Sequence, residues 1–246
     1  LGNGAGSFAA AINVSVGPRP DEVVAGDFNS DGKADVAIAN SDAAYISVLL
    51  GDGTGGFGSP ANFPIPTGSD SIAVGDFNGD GKPDLAATGF SSESSVYILL
   101  GNGAGNFGVA TSFLADSYPG RLVVSDVNAD TRPDLIVPTL HASNGVSVLI
   151  NTCPINPIGV VNFSTATTAA AGLNPHAVAL TDLNGDAKLD LVVANAGSGN
   201  VSILLGAGGG NFSSPSNFAA GTTPVAVALG DVNGDGNVSE SWFDPY

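Results

Sequence analysis

Apolar residues along this chain fall in short runs separated by polar, glycine-rich stretches, and the same order of runs returns about every fifty residues. One run precedes an acidic segment: Val23-Val24-Ala25, Ile72-Ala73-Val74, Leu122-Val123-Val124, Ala177-Val178-Ala179 and Val225-Ala226-Val227. A second follows it: Val36-Ala37-Ile38-Ala39, Leu85-Ala86-Ala87, Leu135-Ile136-Val137 and Leu191-Val192-Val193. A third (Ile46 to Leu49, Val96 to Leu99, Val146 to Leu149, Val201 to Leu204) leads into a glycine-rich turn, and a fourth stretch follows that turn between two phenylalanines. The runs are rich in β-branched residues and bounded by Gly, Asn, Ser and Pro, with no sustained 3.6-residue period, so they predict strands. Four short strands per repeat predict an all-β fold, a β-propeller of four-stranded blades, over residues 1–246 as a single domain. The near-continuous apolar character of the first two strands predicts burial on both faces, between neighbouring blades.

Two motifs keep step with the strands. The acidic segments are DFNSDGKAD from Asp27, DFNGDGKPD from Asp76, DVNADTRPD from Asp126, DLNGDAKLD from Asp182 and DVNGDGNVS from Asp231, their first residues spaced by 49, 50, 56 and 49. The second motif is LGDGTGGF from Leu50, repeated from Leu100 and Leu205 and present from Leu1. In the third repeat Ile150-Asn151-Thr152-Cys153-Pro154 stands in its place. A glycine fingerprint for dinucleotides must open a helix, and here a strand follows, so the motif reads as a hairpin turn supplying left-handed positions.

Oxygen ligands at alternate positions of a short loop suit calcium, which takes six to eight oxygens at flexible geometry. In the first loop these are Asp27, Asn29, Asp31 and Asp35 with the backbone carbonyl of Lys33; in the second, Asp76, Asn78, Asp80 and Asp84 with the Lys82 carbonyl. The third offers Asp126, Asn128, Asp130 and Asp134 with the Arg132 carbonyl; the fourth, Asp182, Asn184, Asp186 and Asp190 with the Lys188 carbonyl. The fifth has Asp231, Asn233, Asp235 and the Asn237 carbonyl, with Ser239 at position nine and Glu240 as the substitute. Position two is always apolar, which predicts a loop anchored in the core, and the position-seven side chain is expected to point to solvent. Position six is glycine in the first two loops, where the chain must turn sharply. Thr131 and Ala187 stand there in the third and fourth, which predicts weaker binding, and the fifth site is expected to be weak as well. Soft metals lack ligands in a chain with one Cys and two His, and an all-protein cage favours calcium over magnesium.

Charge sharpens this reading. The net charge is −17, yet fourteen of the 23 acidic residues lie inside the five acidic segments. Four to five bound calcium ions would bring the net to about −9 or −7. There are no Lys/Arg clusters for nucleic acid and no apolar stretch long enough for a membrane span.

The pairing of D-x-N-x-D-G-x-x-D with a glycine-rich turn in each four-stranded unit resembles the FG-GAP or VCBS repeats, the calcium-bearing propellers of integrin α subunits, some fungal lectins and many secreted bacterial proteins. The resemblance covers essentially the whole chain. It implies an extracellular or cell-surface, calcium-stabilised module for binding or adhesion, whose ligand is a protein or a carbohydrate. Two alternatives are a self-assembling structural protein, associating through its end strands, and the non-catalytic propeller of a secreted polysaccharide-active enzyme. No enzyme is expected in the chain itself: His141 and His176 have no motif partner, and no G-x-S-x-G or H-E-x-x-H occurs. The repeat count predicts four complete blades plus parts of a fifth, as in a fragment of a larger propeller of about seven blades. Ser239 to Tyr246 does not resemble a second strand. Cys153 is expected to be free or paired outside the chain.

Overall fold

The computed structural model describes residues 5–89, 94–116, 118–140, 144–154 and 159–231, with the backbone of 239–243. The regular elements among them are all strands. The first blade is β1 (Pro20–Gly26), β2 (Asp35–Asn40), β3 (Tyr45–Leu49) and β4 (Ala61–Pro64). The second is β5 (Ile72–Gly75), β6 (Asp84–Thr88), β7 (Ser95–Leu99) and β8 (Thr111–Leu114). The third is β9 (Val123–Ser125), β10 (Asp134–Thr139), β11 (Gly145–Leu149) and β12 (Thr167–Ala170). The fourth is β13 (Pro175–Thr181), β14 (Asp190–Asn195), β15 (Asn200–Leu204) and β18 (Ser216–Ala219), with the ribbon β16 (Gly206–Gly208) and β17 (Asn211–Phe212) in its glycine-rich turn. Each blade is an antiparallel sheet with strands in sequence order. A fifth pair, β19 (Ala226–Gly230) and β20 (Ser239–Phe243), follows.

The acidic loop fixes the register of every inner pair. Gly26 pairs with Asp35, Gly75 with Asp84, Ser125 with Asp134 and Thr181 with Asp190, each closing a loop of the same length. Gly230 pairs with Ser239 in the same way, so Ser239 to Phe243 does form a second strand, contrary to its composition. Ladder hydrogen bonds come from the backbone, and the loop length sets the pairing whatever the side chains are.

The core lies between blades. Along β6, Leu85 and Ala87 pack with Ile46 and Val48 of the first blade, while Ala86 joins Leu135 and Val137 of the third. This is the period of two expected of a sheet buried on both faces. The doubly buried strands are the second and third of each blade, not the first and second: β2, β6, β10 and β14 are almost wholly buried, whereas β1 and β9 are half-exposed. The first strand has an in-sheet neighbour on one side only, and the middle strands have two.

A phenylalanine latch joins successive blades at the loop end. Phe107, closing the second glycine-rich turn, sits edge-on to Phe28 and Phe63 of the first blade, with ring centroids 5.6 and 5.2 Å away. Gly105 N donates to the Phe28 carbonyl at 2.8 Å. In the third repeat Phe163 takes this place against Phe77 and Phe113, at 6.0 and 5.1 Å, and bridges to Asn151 as Phe107 bridges to Gly101. The irregular third turn is therefore the same latch with a longer excursion before its phenylalanine.

Candidate metal centre

Each of the first four acidic loops joins the first strand of a blade to the second, and its position-two side chain plugs the core: Phe28, Phe77 and Val127 are buried, and Leu183 packs against the fourth cluster. Above that plug the loop is held by its own polar side chains. Asp27 accepts from Asp31 N at 3.1 Å and from Gly32 N at 2.9 Å, Asn29 accepts from Asp31 N at 3.0 Å, and Asp31 accepts from Lys33 N at 2.9 Å. The second loop repeats this with Asp76, Asn78 and Asp80, the third with Asp126, Asn128 and Asp130, the fourth with Asp182, Asn184 and Asp186. The oxygens of positions one and three thus meet at one N–H in all four loops. The Lys33 N–H is the main reason the exposed Asp31 carboxyl lies below its usual range. For Asp186 it is the Lys188 side chain, then the Lys188 N–H.

Position nine lies beneath the loop. Asp35, Asp84, Asp134 and Asp190 have no exposed surface. Each bonds the position-two N–H with one oxygen, and with the other the backbone N–H of the turn that follows the third strand. For Asp35 the donors are Phe28 N at 2.9 Å and Gly51 N at 2.7 Å; for Asp190 they are Leu183 N at 2.9 Å and Gly206 N at 2.7 Å. Asp84 and Asp134 do the same with Phe77 and Gly101, and with Val127 and Asn151. Burial, outweighing these donors, raises the Asp84 carboxyl to about 7 and that of Asp134 to about 6. Position nine therefore staples the loop to the turn that follows the third strand of its own blade. Gly51 is tight here for a steric reason, since a Cβ on it would stand 2.1 Å from the Ala34 carbonyl oxygen.

Position seven differs from the expectation. The side chains of Lys33, Lys82 and Lys188 turn back onto the loop instead of into solvent, with Nζ 3.3, 3.1 and 3.0 Å from Oδ2 of Asp31, Asp80 and Asp186. Arg132 does the same to Asp130. Four of the six Lys and Arg residues in the chain are spent this way, each as a cation at the carboxylate of position five. A hydrocarbon stem long enough to reach its neighbour, beside an unneutralised carboxylate, makes this the favourable rotamer.

Backbone conformation adds a feature that sequence reading missed. Position six is left-handed in every described loop (Gly32, Gly81, Thr131, Ala187), and so is position four, where Ser30 and Ala129 accept φ of 60° and 63° beside Gly79 and Gly185. Glycine at two of four such positions was the available signal.

The donor set suits a hard cation. Every candidate atom is an oxygen, and a carboxylate oxygen holding one N–H keeps a second lone pair. As they stand, the acidic side chains are occupied by loop N–H groups and position-seven cations, and no group of three or more His, Cys, Asp or Glu among the described residues is gathered to hold a metal. Asp231 is exposed, and Asn233, Asp235 and Asn237 of the fifth loop lie outside the described residues. Cys153 is free and buried, its thiol raised by burial and its Sγ 3.1 Å from the Val160 carbonyl. His141 lies outside the described residues.

The blades and their loops define a repeat class, and comparison with known proteins agrees with it. The model of the FG-GAP-like repeat matches residues 27–87, 76–137 and 182–238, so the chain belongs to the FG-GAP-like repeat family. Among solved structures it is similar to an Agrocybe aegerita lectin that recognises non-reducing terminal N-acetylglucosamine (21% identity, 91% of this chain and 60% of that one, TM-score 0.58). It is also similar to BBS1N, solved in complex with ARL6DN (18% identity, 87% and 62%, TM-score 0.60). A third is the V. cholerae biofilm matrix protein Bap1 (19% identity, 90% and 34%, TM-score 0.51). The chain spans about 60% of the length of the first two. No curated protein sequence matches it. At these identities the structures establish the propeller-blade fold.

Proposed function

We propose that the chain is an extracellular, calcium-stabilised β-propeller segment that acts as a binding module. The observation that carries the calcium reading is the meeting of position-one and position-three oxygens at one N–H in four loops of identical register. In the first loop Asp27, Asn29, Asp31 and the Lys33 carbonyl would hold the ion, with Asp35 below them; the second and fourth offer the same set. A bound ion would supply the positive charge that lets several carboxylates share one short loop. The protein's part is to keep those oxygens oriented, through the loop N–H groups above and the position-nine staple beneath. At about ten times its Kd, calcium would contribute about 1.4 kcal/mol per site.

Recognition is assigned to the opposite ends of the same strands. There, six residues before each acidic loop, equivalent positions carry Asp21, Asp70, Gly120 and His176. Asp70 accepts from Thr88 Oγ1 at 3.1 Å, and interacts electrostatically with both Asp21 and His176. Loops that repeat from blade to blade serve the fold, and a rim whose chemistry changes from blade to blade suits a specific ligand. The lectin among its structural neighbours makes a carbohydrate the first class to test, ahead of a protein. A glycan and matrix-protein array, run with calcium and with chelator, tests the module. Binding lost with Asp70→Asn and His176→Gln supports the reading; an array blank in both buffers contradicts the recognition role. A melting temperature unmoved by chelator contradicts the calcium role.

A further inference from the structure

The third acidic loop is built differently from the others at the carboxylate of position five. In loops one, two and four the Lys ammonium meets Asp Oδ2 through a single contact, the position-three asparagine side chain also bonding the carboxylate in loops one and four, and the lysine side chains are 43–45% exposed. In loop three Asp130 receives Arg132 N on Oδ1 at 3.0 Å, and both Arg132 Nη2 and Asn128 Nδ2 on Oδ2, the latter at 2.8 Å. The same guanidinium is tied a second time, Nε donating to the Asn151 carbonyl at 2.9 Å. Asn151 cannot drift to release it. It is fully buried, its N–H bonds Asp134 at 2.7 Å, and its amide donates to the Phe77 carbonyl of the preceding blade at 2.9 Å. In the other blades this residue is Gly51, Gly101 or Gly206.

We propose that the third loop binds no calcium, because the guanidinium of Arg132 is anchored where the other loops admit an ion. This deepens the calcium reading and rests on it. A lysine ammonium is a hydrated point charge on a flexible stem and can swing into solvent when an ion arrives. A guanidinium held by two hydrogen bonds, one to Asp130 and one to the Asn151 carbonyl, is preorganised, and its charge-assisted bond to the carboxylate is of the stronger kind. Beyond the asparagine bond that loops one and four also make, freeing Asp130 for an ion requires breaking the ion pair and the Asn151 bond together. In loops one, two and four the cation that must move is an exposed lysine rather than an anchored arginine.

The test is to count calcium ions on the full chain by native mass spectrometry, for the wild type and for Asp80→Asn, Asp130→Asn and Arg132→Lys, each checked for fold by circular dichroism. Counts are compared between variants, so the fifth loop contributes equally to all. Asp80→Asn is expected to carry one ion fewer than the wild type and Asp130→Asn the same number. Arg132→Lys, which gives the third loop the position-seven residue of the others, is expected to carry one more. A lost ion in Asp130→Asn overturns the proposal while leaving the calcium reading intact. An unchanged count in Arg132→Lys overturns it too, and decides the matter if Asp130→Asn does not fold. A wild type that carries no calcium, with no change in Asp80→Asn, removes the calcium reading and this inference with it.

Discussion

The second and third acidic loops line a common pocket and close hairpins of equal length, yet they handle their negative charge in different ways. Loop two leaves the outer oxygen of Asp80 to one exposed lysine. Loop three encloses the matching oxygen of Asp130 with an arginine and an asparagine, and anchors the arginine on the irregular turn that replaces the glycine motif. The departures in the third repeat (Thr131, Arg132, Asn151 and the longer path to Phe163) lie together in space and complete one another. A repeat that loses a glycine-rich turn and ties its position-seven cation to the turn in its place has not merely decayed. It keeps the staple and the latch and changes only what neutralises the loop.

The largest expected effect falls on what the two loops share. Asp84→Asn and Asp134→Asn each leave one of two buried backbone N–H groups facing an amide, and each should destabilise the fold by about 1–2 kcal/mol, with or without calcium, because removing a carboxyl that burial has raised offsets part of the lost acceptor. Urea denaturation measures it, and a marginal change in either variant would show that position nine is not the staple. Next comes the effect that separates the loops. Asp80→Asn should remove about 1.4 kcal/mol of calcium-dependent stabilisation at ten times Kd, and Asp130→Asn should remove none of it. Thermal melts with and without calcium give both numbers. A smaller effect is conformational. Thr131 holds φ at 71°, so Thr131→Gly should stabilise by about 1 kcal/mol, while Gly81→Ala should cost about as much. The smallest concerns the turn beside loop three. Cys153 is buried and its thiol is raised by that burial, so thiol reagents should label it slowly in the native protein and fully in denaturant. Fast native labelling would mean that the turn carrying Asn151 opens readily, and would weaken the case for a fixed arginine.

Much of this was legible in the sequence because it depends on period. Strand runs, acidic segments and glycine turns recurring in one register gave the blades, and an apolar position two gave the anchoring of Phe28 and Phe77 in the core. Other features are set by spatial neighbours that a single repeat does not display. The return of Lys33 onto Asp31 depends on a rotamer, and the staple role of Asp35 depends on the turn beyond the third strand. Phe163 was hidden by the longer third turn, although Val161-Asn162-Phe163 echoes the Asn-Phe that closes the second and fourth turns. The pairing of Ser239 to Phe243 was missed because its residues lack strand character, whereas the loop length alone aligns it with β19.

A crystal structure of the chain grown with calcium, with ions located by their anomalous scattering, tests the central claim most directly. The account predicts peaks in the loops of Asp27, Asp76 and Asp182, with their lysines turned outward, and Arg132 still on Asp130 with no peak beside it. A peak bound by Asp126, Asn128 and Asp130, or empty first and second loops at saturating calcium, would contradict it.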